Sequence, residues 1–301
     1  MTSLQSETPE WLQRRERGSA AAIRFVVWLA ITAGRPVVRL LLPFICTYFV
    51  LFAADARRAS RRYLDRVLGR SATILDVFKH FFSFGACVLD RVFLLKGQTQ
   101  LYELSIQGED VVDDILAAGT GCVMLGAHIG SFEVLRAAGR RHSDFSVKVV
   151  MYEENARKIT AALNAINPAL ANDVISLGRE DAFLKIEHFL EQGSAVGILA
   201  DRSLAHEKQT TRNFLGAPAF FPVAPFRVSA MLRKPVIMMV GLYRGGNRYD
   251  IHFERLDLAG KDEARSTQEY AEALMARYVE RLEHFCRAAP YNWFNFYNIW
   301  L

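Results

Sequence analysis

Cysteine is scarce in this chain and scattered: Cys46, Cys87, Cys122 and Cys286 form no CxxC pair. That spacing excludes the common zinc frameworks and a dense disulfide scaffold. It fits a reducing compartment, with each thiol serving as buried packing. His188, His206, His252 and His284 lack metal-ligand spacing, so no metal is expected. There are no internal repeats and no low-complexity linker. Long apolar runs are missing too. The longest, Leu40 to Ala54, has 15 uncharged residues and contains Pro43, short of the roughly 20 that cross a bilayer. Residues 21 to 32 make a shorter run that contains Arg24. A cleaved leader fits poorly, because Glu7 and Glu10 precede the first run and Arg35 and Arg39 separate the two.

Acidic residues are the minority charge: 32 against 37 Lys and Arg, a formal net charge of +5 over 301 residues and a pI near 9.1. Such a balance suits anionic partners: phospholipid headgroups, phosphorylated substrates, an acidic carrier protein or nucleic acid. Arginine carries most of it, and its planar fork matches phosphate and carboxylate. What the chain has in quantity is apolar surface, 51% hydrophobic and 12% aromatic residues. That is high for a water-soluble enzyme and low for a polytopic membrane protein.

The chain changes texture near residue 100. Residues 1–100 read as a helical, membrane-associating segment. Two apolar helices are followed by "RRASRRYLDRVLGR" (57–70), six arginines against Asp65, and then by a phenylalanine-rich helix over 74–95. An apolar helix running into an arginine-rich one is the pattern of an interfacial anchor on anionic lipid. Two buried helices and a solvated basic face are the alternative. Residues 101–301 alternate short apolar runs with helical stretches. Strands are predicted at 101–106, 121–127, 146–151, 173–177, 195–200, 235–242 and 248–254. Helices are predicted at 109–118, 130–140, 153–165, 180–191, 223–233 and 264–287. This alternation predicts an α/β domain, a mainly parallel sheet flanked by helices, with its ligand site at the carboxyl ends of strands. His128 and Asp201 both fall at such ends.

In "GCVMLGAHIGSFEVLR" (121–136) an apolar strand ends on His128, with Gly130, Ser131 and Glu133 behind it. On one helix, five residues separate two side chains by about 140°. His128 and Glu133 can therefore meet only with the histidine in a turn and the glutamate on the next helix. Gly130 then permits the turn and Ser131 caps the helix. A carboxylate beside an imidazole sets its tautomer and stabilises its cation, as a general base requires. The free N–H groups at the helix start are available for an oxyanion or phosphate. A hydrogen-bonded structural histidine is the plainer reading of the same spacing. The enzyme reading is made to depend on contact between residues 128 and 133. Ser131 lies outside a G-x-S-x-G frame, and Met124 completes no dinucleotide fingerprint. The closing "YNWFNFYNIW" (291–300) reads as core packing, with the lining of a lipid pocket as the alternative.

"GAHIGSFE" resembles the His-x4-Asp/Glu motif of the lysophospholipid acyltransferase superfamily, in particular its lipid A late acyltransferase branch. "GSAVGILADRS" (193–203) resembles that branch's strand ending in an acidic residue. "FLGAPAFFPVAPFRVSAMLRKPVI" (214–237) resembles its third block. "WLQRRERGS" and "NWFNFYNIW" are similar to a bacterial subgroup of predicted acyltransferases, free-standing or fused to glycosyltransferases. The resemblance implies transfer of a fatty acyl group from an acyl thioester to a lipid or glycolipid acceptor, at the cytoplasmic face of the bacterial inner membrane. The donor would be acyl carrier protein or CoA, with no further cofactor; no covalent acyl-enzyme is expected, because neither a placed cysteine nor an elbow serine accompanies the base. Carried over, His128 is the base and Glu133 orients it. Asp201 and Arg202 line the site, and Phe221 and Pro222 match the third block. Ala224 stands where a glycine is usual, and Arg227, about one helical turn on, is a candidate for an anion contact through its side chain, with a surface salt bridge as the alternative. Arg157 is a further candidate. A thioester or ester hydrolase on the same base is the second reading, and a non-catalytic lipid-binding protein the third. Nucleic acid is not expected as a partner, since no base-reading motif accompanies the arginines.

Overall fold

The computed structural model describes residues 20–139, 147–151, 173–176, 181–203, 207–257 and 266–301. Its strands are β1 (Glu103–Gln107), β2 (Cys122–Gly126), β3 (Val147–Met151), β4 (Val174–Ser176), β5 (Ala195–Leu199), β6 (Gln209–Phe214), β7 (Ala217–Pro222), β8 (Val236–Tyr243) and β9 (Arg248–Arg255). Seven of them form one sheet in the order β1-β9-β8-β2-β5-β3-β4. Every neighbouring pair is parallel except β8–β9. The short turn after Tyr243 explains that exception, because it cannot carry a crossover. The central strands β2, β5 and β8 are apolar and buried almost throughout, as a parallel sheet between helical layers must be. The architecture is α/β, and all seven strands expected from the alternation are present within two residues of their bounds.

The β6–β7 hairpin is not legible in that alternation. β6 is polar and β7 carries Pro218 and Pro222, so neither reads as a buried strand. The hairpin stands outside the large sheet and bridges to the chain end through Ala219 and Trp300.

The domain's described helices are α4 (Glu109–Ala118), α5 (Phe132–Gly139), α6 (Ala182–Glu191), α7 (Ala224–Leu232) and α8 (Thr267–Ala288). The helix expected over 153–165 lies outside the described residues. α8 begins with a reciprocal Ser266–Glu269 capping box, which satisfies backbone donors that the first turn leaves open.

Before the sheet come α1 (Ala20–Phe52), α2 (Ala54–Leu68) and α3 (Ile74–Leu95). The two apolar stretches expected as separate short helices abut within α1, across a kink at Gly34 (φ 81°, ψ 169°). Only glycine takes such a backbone without strain. Joined, Phe25–Phe52 spans 28 residues at a mean hydropathy of 1.7, by length and composition long and apolar enough to cross a membrane. The kink leaves two apolar helices end to end, as the sequence predicts.

Past the kink, α1 has two apolar stripes. Val38, Leu42, Cys46 and Val50 are buried, and Leu42 and Cys46 lie against α3 at Gly85. On the other side Leu40 and Phe44 are 72% and 74% exposed, with Tyr48, Leu51 and Phe52 in the same state. Polar anchors fix the docked half. The Arg35 guanidinium forks onto the buried Asp90 carboxylate at 2.7 and 3.1 Å, which also accepts from the Tyr249 hydroxyl at 2.7 Å. In α2 and the turn after it the arginines divide. Arg57 donates to the last carbonyls of α1, Arg66 sits over the Trp300 ring, and Arg70 pairs with Asp76. Arg58, Arg61 and Arg62 stay exposed. One buried cluster runs from Ala30 to Trp300, so helices and sheet share a core.

Candidate active site

β2 and β5 are parallel neighbours with Gly126 opposite Leu199. The ladder continues one step further, with Ala200 N–H donating to Gly126 O at 3.0 Å. The segments leaving the two strands therefore emerge side by side, and His128 meets Asp201. Nδ1 of His128 lies 2.8 Å from Asp201 Oδ1, and the His128 backbone N–H donates to Oδ2 at 3.0 Å. An ionised carboxylate only accepts, so Nδ1 carries the proton and Nε2 keeps a lone pair. The Asp201 side chain is fully buried while the imidazole is 31% exposed.

This overturns the expected pairing of His128 with Glu133. Glu133 does sit in the first turn of α5, but its carboxylate is engaged by arginines. Arg91 of α3 donates to it at 2.9 Å, and Arg136 lies 3.8 Å from its other oxygen. Arg136 in turn binds Asp173, which Lys148 also holds. Glu133 is thus the centre of an ion network joining α3, α5, β3 and the residue before β4. An oriented imidazole–carboxylate contact exists at His128, and Asp201 supplies it.

The turn is held tightly. Gly130 has φ 61°, and a Cβ there would lie 1.9 Å from the Gly241 carbonyl oxygen. Gly130 N–H donates to Asn292 O and Ser131 N–H to Gly241 O, each at 2.8 Å. With the His128 N–H on Asp201, these three donors are spent on the protein and are not open to an oxyanion or phosphate.

Electrostatically the pair is polarised. Burial pushes the His128 pKa down, Arg202 adds to the fall, and Asp201 opposes both. Burial pushes Asp201 up, but the charge and hydrogen bonds of His128, with Arg202, outweigh it and hold Asp201 at about 2. Asp201 is therefore ionised and His128 largely neutral at neutral pH.

Arg202 donates through Nη2 to Phe294 O at 2.7 Å and lies over the Tyr297 ring. Its buried Nε has no hydrogen-bond partner among the described residues. Phe221 is fully buried, edge-on to Phe214, which packs edge-on against Trp293. Pro222 is buried at the end of β7, whereas Arg227 is exposed on α7. Arg157 and His206 lie outside the described residues. The four cysteines are free and buried, and burial pushes the Cys122 thiol up to about 12. They pack rather than react. Among the described residues, no group of three or more His, Cys, Asp and Glu gathers to hold a metal.

Sequence reasoning missed Trp293, whose indole N–H donates to Asp201 Oδ2 at 2.9 Å. The chain end forms one wall of the site as well as filling core. Its only sequence signal is the density of aromatics, which looks like ordinary packing.

Residues 12–301 match the family model described as bacterial lipid A biosynthesis acyltransferase. No curated protein matches the chain. The match covers nearly the whole chain, including all three blocks and the α1–α3 helices, so the chain belongs to this family and is an acyltransferase.

Proposed function

We propose that this acyltransferase moves a fatty acyl group from an acyl thioester to a hydroxyl or amine of a lipid or glycolipid acceptor, with His128 as general base and Asp201 as its orienting acid. The observation that carries the reading is the 2.8 Å contact between Nδ1 and Asp201, which leaves Nε2 unprotonated on a partly open ring. The acceptor O–H or N–H gives its proton to Nε2 as its heteroatom attacks the thioester carbonyl. The tetrahedral intermediate then collapses, expelling the thiolate, and the imidazolium returns the proton to that sulfur. Arg202 is the nearby cation for the developing oxyanion, through the Nε that lacks a partner among the described residues. Arg227 and Arg157 are proposed contacts for phosphate groups of donor or acceptor. Phe221 and Pro222 are proposed to form a wall of the site.

Acyl carrier protein and CoA are both anionic and suit the basic chain. The division of labour follows the texture change near residue 100: the first hundred residues associate with membrane and residues 101–301 catalyse. The exposed stripe of α1 beside Arg58, Arg61 and Arg62 fits the cytoplasmic face of an anionic inner membrane. Because Arg35 and Arg39 of α1 are engaged with Asp90 and Tyr243, the half beyond Gly34 lies along the protein with its outer stripe in lipid.

The test is transfer of radiolabelled acyl groups by wild type and His128→Ala, with and without acceptor lipid. Near-complete loss in a folded variant is expected. Full activity in His128→Ala would overturn the base assignment, and free fatty acid as the sole product would favour a hydrolase.

A further inference from the structure

We infer that Trp293 is a positioning residue for the His128–Asp201 pair, through its indole N–H and its backbone rather than through its bulk. The inference rests on His128 acting as the base.

Packing alone does not need an indole. Trp293 is fully buried among Tyr63, Phe214 and Trp300, and an aromatic hydrocarbon would satisfy those rings. Its N–H, however, ends on Asp201 Oδ2 at 2.9 Å. That oxygen also receives the His128 backbone N–H, while Oδ1 is left for the imidazole. Two donors on one oxygen fix the plane of the carboxylate and aim the other oxygen at Nδ1. They also share the carboxylate's charge, which tempers its pull on an imidazolium.

The same residue brackets the histidine from behind. Ile129 and Trp293 form an antiparallel bridge. Gly130 N–H donates to Asn292 O at 2.8 Å, and Phe294 N–H donates to His128 O at 2.7 Å. Backbone of the base and side chain of its acid are therefore tied to one short stretch of the chain end.

That stretch is in turn pinned by the N-terminal helices. His80 of α3 lies with Nε2 2.7 Å from Trp293 O and Nδ1 2.8 Å from the Ser60 hydroxyl of α2. A carbonyl only accepts, so Nε2 carries the proton and Ser60 donates to Nδ1. Helices α2 and α3 thus set the position of the catalytic pair through Trp293.

The groups facing the pair are Arg202, Tyr278, Cys286 and Tyr297, with the neutral His80 behind Trp293. Tyr278, Cys286 and Tyr297 are uncharged at neutral pH because burial raises each of them. Arg202 therefore provides the standing countercharge, and the indole N–H is the neutral adjustment to it.

The experiment replaces Trp293 with β-(3-benzothienyl)alanine, which keeps the shape and puts sulfur where the N–H stands. Trp293→Phe is made in parallel. His128 is titrated by NMR on protein with 13C-labelled histidine, its signal assigned by its loss in His128→Ala, and kcat/KM is followed against pH. Losing the donor concentrates negative charge on Asp201, so His128 should titrate about 0.5 to 1 unit higher in the isostere. The acidic limb of kcat/KM should move with it while KM holds. An isostere with the wild-type titration and the wild-type limb overturns the inference, whether or not Trp293→Phe folds. If His128→Ala keeps transfer, the base assignment fails, yet the NMR titration still decides whether the indole acts on the pair.

Discussion

Asp201→Asn separates a charge effect from a tautomer effect at one atom. Two N–H groups, from the His128 backbone and the Trp293 indole, converge on Oδ2. The amide oxygen of an asparagine must occupy that place, since turning the NH2 there would set donors against donors. The NH2 is then left 2.8 Å from Nδ1, which can meet it only as an acceptor. The imidazole proton moves to Nε2, and the atom that should receive the acceptor's proton is already protonated. In serine proteases the equivalent tautomer reversal costs about 10⁴ in kcat, roughly 5 kcal/mol of transition-state stabilisation. The expectation here is a loss on the order of 10³ to 10⁴ at neutral pH, carried by kcat with KM nearly unchanged. Glu133→Gln is the matched control. Its carboxylate is 4% exposed and serves Arg91 and Arg136. Because Arg91 is 36% exposed and screened, its loss should cost about 1 to 3 kcal/mol of stability and less than about tenfold in rate. The assay is acyl transfer under initial-rate conditions, with thermal unfolding to confirm the fold. If Glu133→Gln lost as much kcat as Asp201→Asn while staying folded, assigning the orienting role to Asp201 would be wrong.

The pH profile follows from the same pair. A base works unprotonated, and burial with Arg202 sets His128 below its ordinary 6.5, so kcat/KM should hold at neutral pH and fall only below that value. Arg202→Gln should move the fall to higher pH, and an unmoved profile would remove Arg202 from the site. Stability has its own window. Burial lowers His80 to about 4, so between pH 6.5 and 4 the unfolded chain binds a proton that the folded chain refuses. Stability is then present above 6.5 and lost on acidification, by up to roughly 3 kcal/mol. A His80→Gln variant should show a flatter dependence of Tm on pH, and an unchanged slope would count against this account. At the membrane, Leu40→Glu with Phe44→Glu should leave folding intact, both side chains being exposed, and weaken sedimentation with anionic vesicles about tenfold or more. Unchanged sedimentation would place the lipid contact elsewhere.

Local pattern determined a great deal. Apolar runs of strand length, separated by helical stretches, specified an α/β domain, and "GCVMLGAHIG" specified a strand that ends at a histidine. Family membership was legible in three ordered blocks. Which carboxylate faces that histidine was not legible, because contact along the chain and contact across the sheet compete. Glu133 is near in sequence, while Asp201 is 73 residues away and becomes a neighbour only because β2 and β5 lie side by side in parallel. Strand order is set by the packing of the whole sheet, which no local window contains. The same reason hides Trp293, an aromatic among aromatics until the chain end folds back on the His128 turn. Residue types and their periodicities are properties of the chain; partners for a buried charge are settled when every donor in the core must find an acceptor at once.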